Sequence, residues 1–396
     1  MIKSLNTLIT LVLVVILSAC KEQKKETETV KKMDLTETIT EQYNKAYPEV
    51  NKHIEDKKFI PRAIKEDSTK FVGVYDWTSA FYPGTLWHLY KITGDEKWKE
   101  RATLYTEKLD TIQYWQDNHD VGFMIECSFG NGIKYGNKNY EDVIVQAAKS
   151  LSTRFNKNTG VIKSWEWSKK WEYPVIIDNM MNLELLFNAT KISGDSTYYN
   201  IAITHANTTM KNHFRDNFSS YHVVDYNPKN GKIIKKNTHQ GISDDSAWAR
   251  GQAWGLYGFT MCYKETHNEA YLNQAKNIAA FIKNNPNLPQ DKIPYWDYSA
   301  PAGNNTPRDA SAAAITASAL YDLATYVDQN EANEYISFAD EIMTSLASPA
   351  YLAKIGTNSG FMLMHSVGSK PHGEEVDSPL NYADYYFTEA LIRKNK

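Results

Sequence analysis

The chain has 396 residues, enough for two or three average domains or for one repeat-built fold. Lys and Arg number 44 against 47 Asp and Glu, a formal net charge of -3, so there is no basic excess to serve nucleic acid. Aromatic residues make up 13%, and several fall in polar stretches such as "SWEWSKKWEYP", where rings serve either sugar faces or amphipathic packing at helix ends.

Lys3 precedes an apolar run, "LITLVLVVIL", that is short for a membrane span and ends in Leu17-Ser18-Ala19-Cys20. This resembles a bacterial lipoprotein signal over residues 1–20, in which Cys20 becomes the lipidated first residue. A lipid anchor of this kind implies a cell-envelope protein of the outer membrane, facing either the periplasm or the exterior. Residues 21–34, "KEQKKETETVKKMD", are charged and poor in apolar side chains, as expected of a flexible tether. The folded part is expected over 35–396 as one domain. Only Cys127 and Cys262 remain there, which leaves no disulfide framework and leaves their pairing open.

Four segments then repeat one pattern: "KITGDEKWKERA", "KISGDSTYYNIA", "KETHNEAYLNQA" and "YVDQNEANEYISFA". In each, a polar turn leads into a helix whose aromatic residue (Trp98, Tyr198, Tyr271, Tyr335) is followed four positions later by Ala102, Ala202, Ala275 or Ala339, on the same helix face. A weaker copy starts at Tyr140, with Ile144 in the Ala position. Before the four turns come "TSAFYPGTLWHLYKI", "IIDNMMNLELLFNATKI", "RGQAWGLYGFTMCYKET" and "ASAAAITASALYDLATYV", apolar or small on most sides, as helices walled in by neighbours are. Strand patterns are scarce: "YHVVDY" and "KIIKK" are short and share one loop. The expectation is an all-α toroid of about six helical hairpins rather than an open solenoid, which has the same period but no need of inner helices buried all round.

In such a toroid the loops entering the inner helices meet at one mouth. Those loops carry Asp76 and Trp77 in "YDWTSAFYPG", Asp120 in "DNHDVGFM", Asp178 in "IIDNMMN", His239, Gln240, Arg250 and Trp254 in "THQGISDDSAWARGQAW", and Arg308 with Asp309 in "NNTPRDASAAA". Carboxylates, rings and an Arg suit carbohydrate. Each also has a structural alternative: Asp178, Asp245 or Asp309 as an N-cap, Arg250 as an ion pair, Trp254 as a core ring. There is no HExxH, no Cys/His cluster, no Walker loop and no GxGxxG, so neither a metal nor a nucleotide cofactor is expected.

"HDVGFM", "DNMMNLELLF", "THQGISDDSAWARGQAWGLYG" and "YADYYFTEAL" resemble the unsaturated glucuronyl hydrolases of glycoside hydrolase family 88, from about Trp77 to the C-terminus. The resemblance implies an (α/α)6 toroid acting on oligosaccharides left by polysaccharide lyases, whose non-reducing end is a uronic acid with a C4=C5 double bond. It implies Asp178 as proton donor and then base, and Asp120 as a second essential carboxylate expected to stay ionised. It further implies that Arg250, Trp254, Thr238, Gln240, His222 and Trp77 hold the sugar. Lys236 stands two residues before Thr238, where the family pattern has glycine, so the neighbouring subsite differs there. Apolar neighbours such as Ile177 and Met181 are expected to raise the pKa of Asp178. The competing readings are an unsaturated rhamnogalacturonyl hydrolase acting on pectin fragments, and a sugar-binding lipoprotein without catalysis, in which an acid–base pair has no purpose. Lys235, Lys236 and His239 point either to a sulfated partner sugar, as in ulvan or glycosaminoglycan fragments, or to an ordinary solvated loop.

Overall fold

The computed structural model describes residues 34–395. The lipoprotein signal, Cys20 and nearly all of the tether lie outside the described residues. Helix α1 (Leu35–Asn51) leads into a ribbon of β1 (Ile60–Lys65) and β2 (Ser68–Val72). A first pair, α2 (Phe81–Thr93) and α3 (Glu96–Glu107), follows. Next come α4 (Val121–Ile125), a π turn (Glu126–Gly130), α5 (Asn131–Gly136) and α6 (Glu141–Ser152). Short strands β3 (Phe155–Asn156), β4 (Val161–Ile162) and β5 (Pro174–Ile176) precede the pair α7 (Leu183–Ser193) and α8 (Ser196–Asn212). Strands β6 (Val223–Tyr226) and β7 (Ile233–Asn237) lead to α9 (Ala249–Thr266) and α10 (Glu269–Lys283), then α11 (Ala310–Leu323) and α12 (Gln329–Leu346). A last ribbon, β8 (Ser366–Ser369) and β9 (Glu374–Ser378), enters α13 (Asn381–Lys394).

Helices α2, α4–α5, α7, α9, α11 and α13 pack each on the next, and α13 packs back on α2. That last contact closes the ring, which makes the fold the expected (α/α)6 toroid and not an open solenoid. Helices α1, α3, α6, α8, α10 and α12 form the outer layer, with α1 tied to α13 by the Tyr43 hydroxyl donating to Asp384 Oδ2 at 3.0 Å.

The hairpin turns follow from two adjacent residues. Gly94 and Gly194 end α2 and α7 with φ of 69° and 74°, a left-handed conformation that costs glycine nothing. Asp95 and Asp195 come next, and each side chain accepts the backbone N–H two residues on, capping α3 and α8. His267 and Asn268 play the same two parts between α9 and α10. The repeated aromatic–Ala pairs are buried, as their spacing requires.

Four rings from four inner helices form a closed tier across the bore. Phe81 meets Phe123 at 5.8 Å, Phe123 meets Trp254 at 5.1 Å, Trp254 meets Tyr386 at 5.3 Å, and Tyr386 returns to Phe81 at 6.0 Å. Edge-on and tilted pairs of this kind add to the stability that their burial gives. The tier separates the end entered by the N-termini of the inner helices from the end reached by their C-termini.

Two details depart from the sequence reading. Pro174–Ile176 is a strand paired with β6, and Asp178 lies in a 3-10 turn (Ile177–Asn182) ahead of α7, not in its first α-turn. The ribbons β1–β2 and β8–β9 had no legible strand pattern; each is a two-stranded piece with a register shift that breaks its alternation.

Candidate active site

A cavity of about 460 Å³ opens where the inner-helix N-termini converge, and Trp77, Asp120, Asp178, Gln240 and Arg250 line it, as does His239. Three other expected residues sit behind its wall. Trp254 is fully buried in the aromatic tier, and its indole lies near enough to the Asp178 carboxyl to draw its pKa down without closing a full hydrogen bond. Thr238 stabilises the loop, accepting from Gly241 N–H at 2.7 Å while its own N–H donates to Asp244 Oδ1 at 2.8 Å. His222 is buried and faces Asp178.

Asp178 is placed by sheet pairing. Strand β5 lies against β6, and Ile177 N–H donates to the His222 carbonyl at 3.1 Å, so the 3-10 turn starts beside His222. Burial pushes the Asp178 carboxyl up to about 7, with Arg250 pulling the other way. A raised value alone does not mark a site: Asp384 is also pushed up to about 7 by burial. Its oxygens, however, accept from Met362 N–H, Leu363 N–H and the Tyr43 hydroxyl. Asp178 Oδ2 is buried on the side of His222, the Trp254 indole draws the carboxyl pKa down, and no helix N–H claims the group, so its N-cap alternative fails.

His222 has one possible tautomer. Its Nδ1 accepts two backbone donors, His239 N–H at 3.1 Å and Gln240 N–H at 3.0 Å, so the ring proton is on Nε2. Burial, with His239 and Arg250 nearby, holds its pKa well below the usual range, and the ring is neutral. Nε2 lies 3.7 Å from Asp178 Oδ2, too long for a hydrogen bond. Asp120 has a similar neighbour: His119 Nε2 is 3.3 Å from Oδ1, and burial lowers that imidazole to about 3.

Burial first, then the Asp178 and Asp76 carboxylates, raise Asp120 to about 8. The two carboxyls titrate as a pair that retains a proton near neutrality.

Arg250 crosses from α9 to β8. Its Nη1 donates to Asp309 Oδ2 at 3.1 Å and to the Val367 carbonyl, and its Nη2 to the Gly368 carbonyl at 2.6 Å. Gln240 Nε2 also donates to Gly368 O, at 3.0 Å. Asp309 is both this ion-pair partner and the cap of α11, so two of the structural alternatives read for these residues apply at once. Arg308 turns away to Asp291.

Several lining residues were not singled out in the sequence. Arg62 reaches in from β1 with two paired contacts, Nη1 to Asp76 and Nε with Nη2 to Glu375, at 2.7 to 3.0 Å, tying the β8–β9 ribbon to the mouth. Trp165 and Trp167 stack at 5.2 Å and 27° on the outer rim, Trp167 being 65% exposed, with His239 against both. Their polar surroundings in "SWEWSKKWEYP" were the available signal. Lys235 and Lys236, by contrast, do not line the cavity. Lys235 Nζ donates to the Lys170 carbonyl at 2.6 Å, and Lys236 lies over the Tyr221 ring. Cys127 and Cys262 are buried free thiols. Among the described residues, no cluster of three or more His, Cys, Asp or Glu is placed to hold a metal ion, and no helix is long and apolar enough to cross a membrane.

Paired buried carboxyls, rings and a fixed Arg at the mouth of an (α/α)6 toroid are the equipment of a glycoside hydrolase, and the relatives of the chain show that class. No family model matches the chain. It is, however, 49% identical over 322 residues to an unsaturated glucuronyl hydrolase of Formosa agariphila, covering 81% of this chain and 80% of that one. The crystal structure of an unsaturated glucuronyl hydrolase specific for heparin superposes with a TM-score of 0.84 at 46% identity, over 90% of this chain and 96% of the other. A mutant Streptococcus agalactiae enzyme complexed with dGlcA-GalNAc6S gives 0.74 at 27%, over 90% and 91%. The chain belongs to the unsaturated glucuronyl hydrolases, glycoside hydrolase family 88.

Proposed function

We propose that Asp178 protonates C4 of a 4,5-unsaturated glucuronic acid at the non-reducing end of a lyase-cut glycosaminoglycan disaccharide. The observation that carries this is the buried Asp178 carboxyl, unclaimed by any helix N–H and beside neutral His222, lining one cavity with Asp120 and Arg250. The proton adds to C4 and leaves oxocarbenium character at C5. Asp178, now a carboxylate, takes a proton from the water that attacks C5, which restores the acid. The C5 hemiketal opens, the glycosidic oxygen leaves with the partner sugar, and water has been added across the double bond. Because the anomeric carbon is not attacked directly, the spacing rule for retaining and inverting glycosidases has no bearing here.

Asp120, the carboxylate of the pair when Asp178 carries the shared proton, steadies the positive charge, and Arg250, fixed by Asp309 and two carbonyls, faces the sugar carboxylate with Gln240. His222 turns its Nε2–H toward Asp178 from behind the wall and helps set the position of that carboxyl. Trp77 borders the same subsite. Thr238 and Trp254 act from behind the wall, as positioning residues for the loop and for Asp178. Beyond the unsaturated sugar, Trp165 and Trp167 offer faces to the partner ring. With Lys235 and Lys236 directed elsewhere, His372 and His239, the latter held neutral by burial at about 4, are the imidazoles left to meet a sulfate. An anchor at Cys20 would hold this catalysis at the cell envelope; a Cys20→Ala chain remaining in the membrane fraction would remove that part.

The test is ultraviolet absorbance of the C4=C5 bond with lyase-generated disaccharides from heparin, chondroitin, hyaluronan and ulvan, sulfated and unsulfated. Loss on a glycosaminoglycan disaccharide with wild type but not Asp178→Asn supports the reading. Loss on none of them refutes it.

A further inference from the structure

Eight lysines and two glutamates fall within residues 155–172 and 226–239, a local excess of six positive charges on a chain whose formal net charge is -3. The excess is not neutralised within the protein. Glu166 pairs with Arg154 and Lys163, and Glu172 pairs with none of the lysines. Lys157, Lys169, Lys170, Lys229, Lys232 and Lys235 make no ion pair within 4 Å among the described residues, and all of them except the half-buried Lys235 are exposed.

The fold gathers these six into one surface. The turn between β6 and β7 carries Lys229 and Lys232, and the Pro228 carbonyl in it accepts from Asn156 Nδ2 at 3.1 Å and from Asn158 Nδ2 at 3.2 Å, which sets Lys157 beside the turn. Further along β7, Lys235 is bonded to the Lys170 carbonyl, and Lys170 Nζ lies 4.8 Å from the centre of the Trp171 ring. Trp171 in turn meets Trp165 edge-on at 5.5 Å and His239 at 5.7 Å, and its indole N–H donates to Asn237 Oδ1 at the end of β7. Trp165 and His239 line the catalytic cavity. The lysines therefore run from the hairpin turn to the rim of the mouth. Between Lys232 and His239 the chain reaches at most roughly 25 Å, several sugar units.

Like charges held together without partners repel one another and attract a ligand of opposite sign. We infer that this ribbon of lysines docks a polyanionic polysaccharide, a chain with carboxylate or sulfate groups on successive sugars, alongside the catalytic mouth. Charge complementarity and continuity with the rim tryptophans select a sugar polymer as the occupant. The choice of polymer rests on the proposed reading of the mouth as a sugar site; the docking itself needs neither turnover nor an unsaturated end. Each exposed lysine contributes little alone, so the surface acts through several at once and weakens as salt screens them.

Calorimetric titration of the folded chain with heparin whose non-reducing ends are saturated tests it, since that polymer offers the cavity no C4=C5 bond. Two variants with the same loss of charge are compared. One combines Lys169→Ser, Lys170→Ser, Lys229→Ser and Lys232→Ser in the ribbon, and the other combines Lys57→Ser, Lys58→Ser, Lys149→Ser and Lys354→Ser elsewhere. The expected result is binding at least tenfold weaker in the first, within twofold of wild type in the second, and unchanged in Asp178→Asn. Unaltered thermal unfolding shows that the variants are folded, so a failure of the proposed hydrolysis does not bear on the outcome. The inference falls if heparin does not bind, if both lysine variants lose the same affinity, if Asp178→Asn removes binding, if neutral dextran binds as well, or if vesicles of anionic phospholipid bind through the ribbon and heparin does not.

Discussion

Replacing Asp178 by Asn separates the catalytic and the structural consequences of its burial. The carboxyl moves from an ordinary 3.8 to about 7 on folding, and at about 1.4 kcal/mol per pKa unit the folded state carries a cost of about 4 kcal/mol above pH 7. The sign follows from proton uptake. Below pH 4 both states are protonated and there is no cost; between 4 and 7 only the unfolded chain ionises, so stability falls as pH rises; above 7 both are ionised and the cost is constant. Asn has nearly the same shape and no charge, so Asp178→Asn should unfold at a higher temperature than wild type at pH 8, with a smaller gain at pH 5. Its hydrolysis rate should fall at least 100-fold, the lower end of what general acid–base catalysis contributes. Thermal unfolding at the two pH values and the absorbance assay measure both. A variant that is less stable at pH 8, or that retains a tenth of the activity, would refute the assignment of a buried, proton-donating Asp178.

Wild-type activity should decline above about pH 7 as the Asp178–Asp120 pair loses its proton, and a rate still rising at pH 8 would contradict this. Trp167→Ala should raise KM for disaccharides about two- to tenfold with kcat little changed, since stacking of an exposed ring contributes about 0.5–1.5 kcal/mol; an equal loss in kcat would place the ring at the reacting sugar instead. Arg250→Met leaves Asp309 buried without its cation and should cost about 3–5 kcal/mol in denaturant unfolding, whereas unchanged stability would make the pair dispensable. Gly194→Ala meets no atom within 4 Å, so its destabilisation, about 1 kcal/mol, should come from the positive φ alone.

The toroid was legible because its punctuation is local. A left-handed residue followed by a capping Asp or Asn ends one helix and starts the next within two positions, and the aromatic–Ala spacing marks the outer-helix face. Trp77, Asp120, Asp178 and Arg250 were legible because each stands at or just before the start of an inner helix, and the ring brings those starts together. Arg62 was not legible, since its meaning lies in Glu375, more than 300 positions away. The tautomer of His222 depends on two backbone N–H groups delivered by the loop after β7, and the direction of Lys235 and Lys236 on the register of β6 against β7. Residue types in the sequence record neither.

The central claim, that the glycosidic bond breaks through hydration of the double bond, is tested most directly by turnover in D2O followed by NMR of the released uronic acid. The account predicts one deuteron on a single face of C4, delivered by Asp178, with loss of the vinyl signal. Release of a uronic acid that keeps its C4=C5 bond and carries no deuterium at C4 would contradict it.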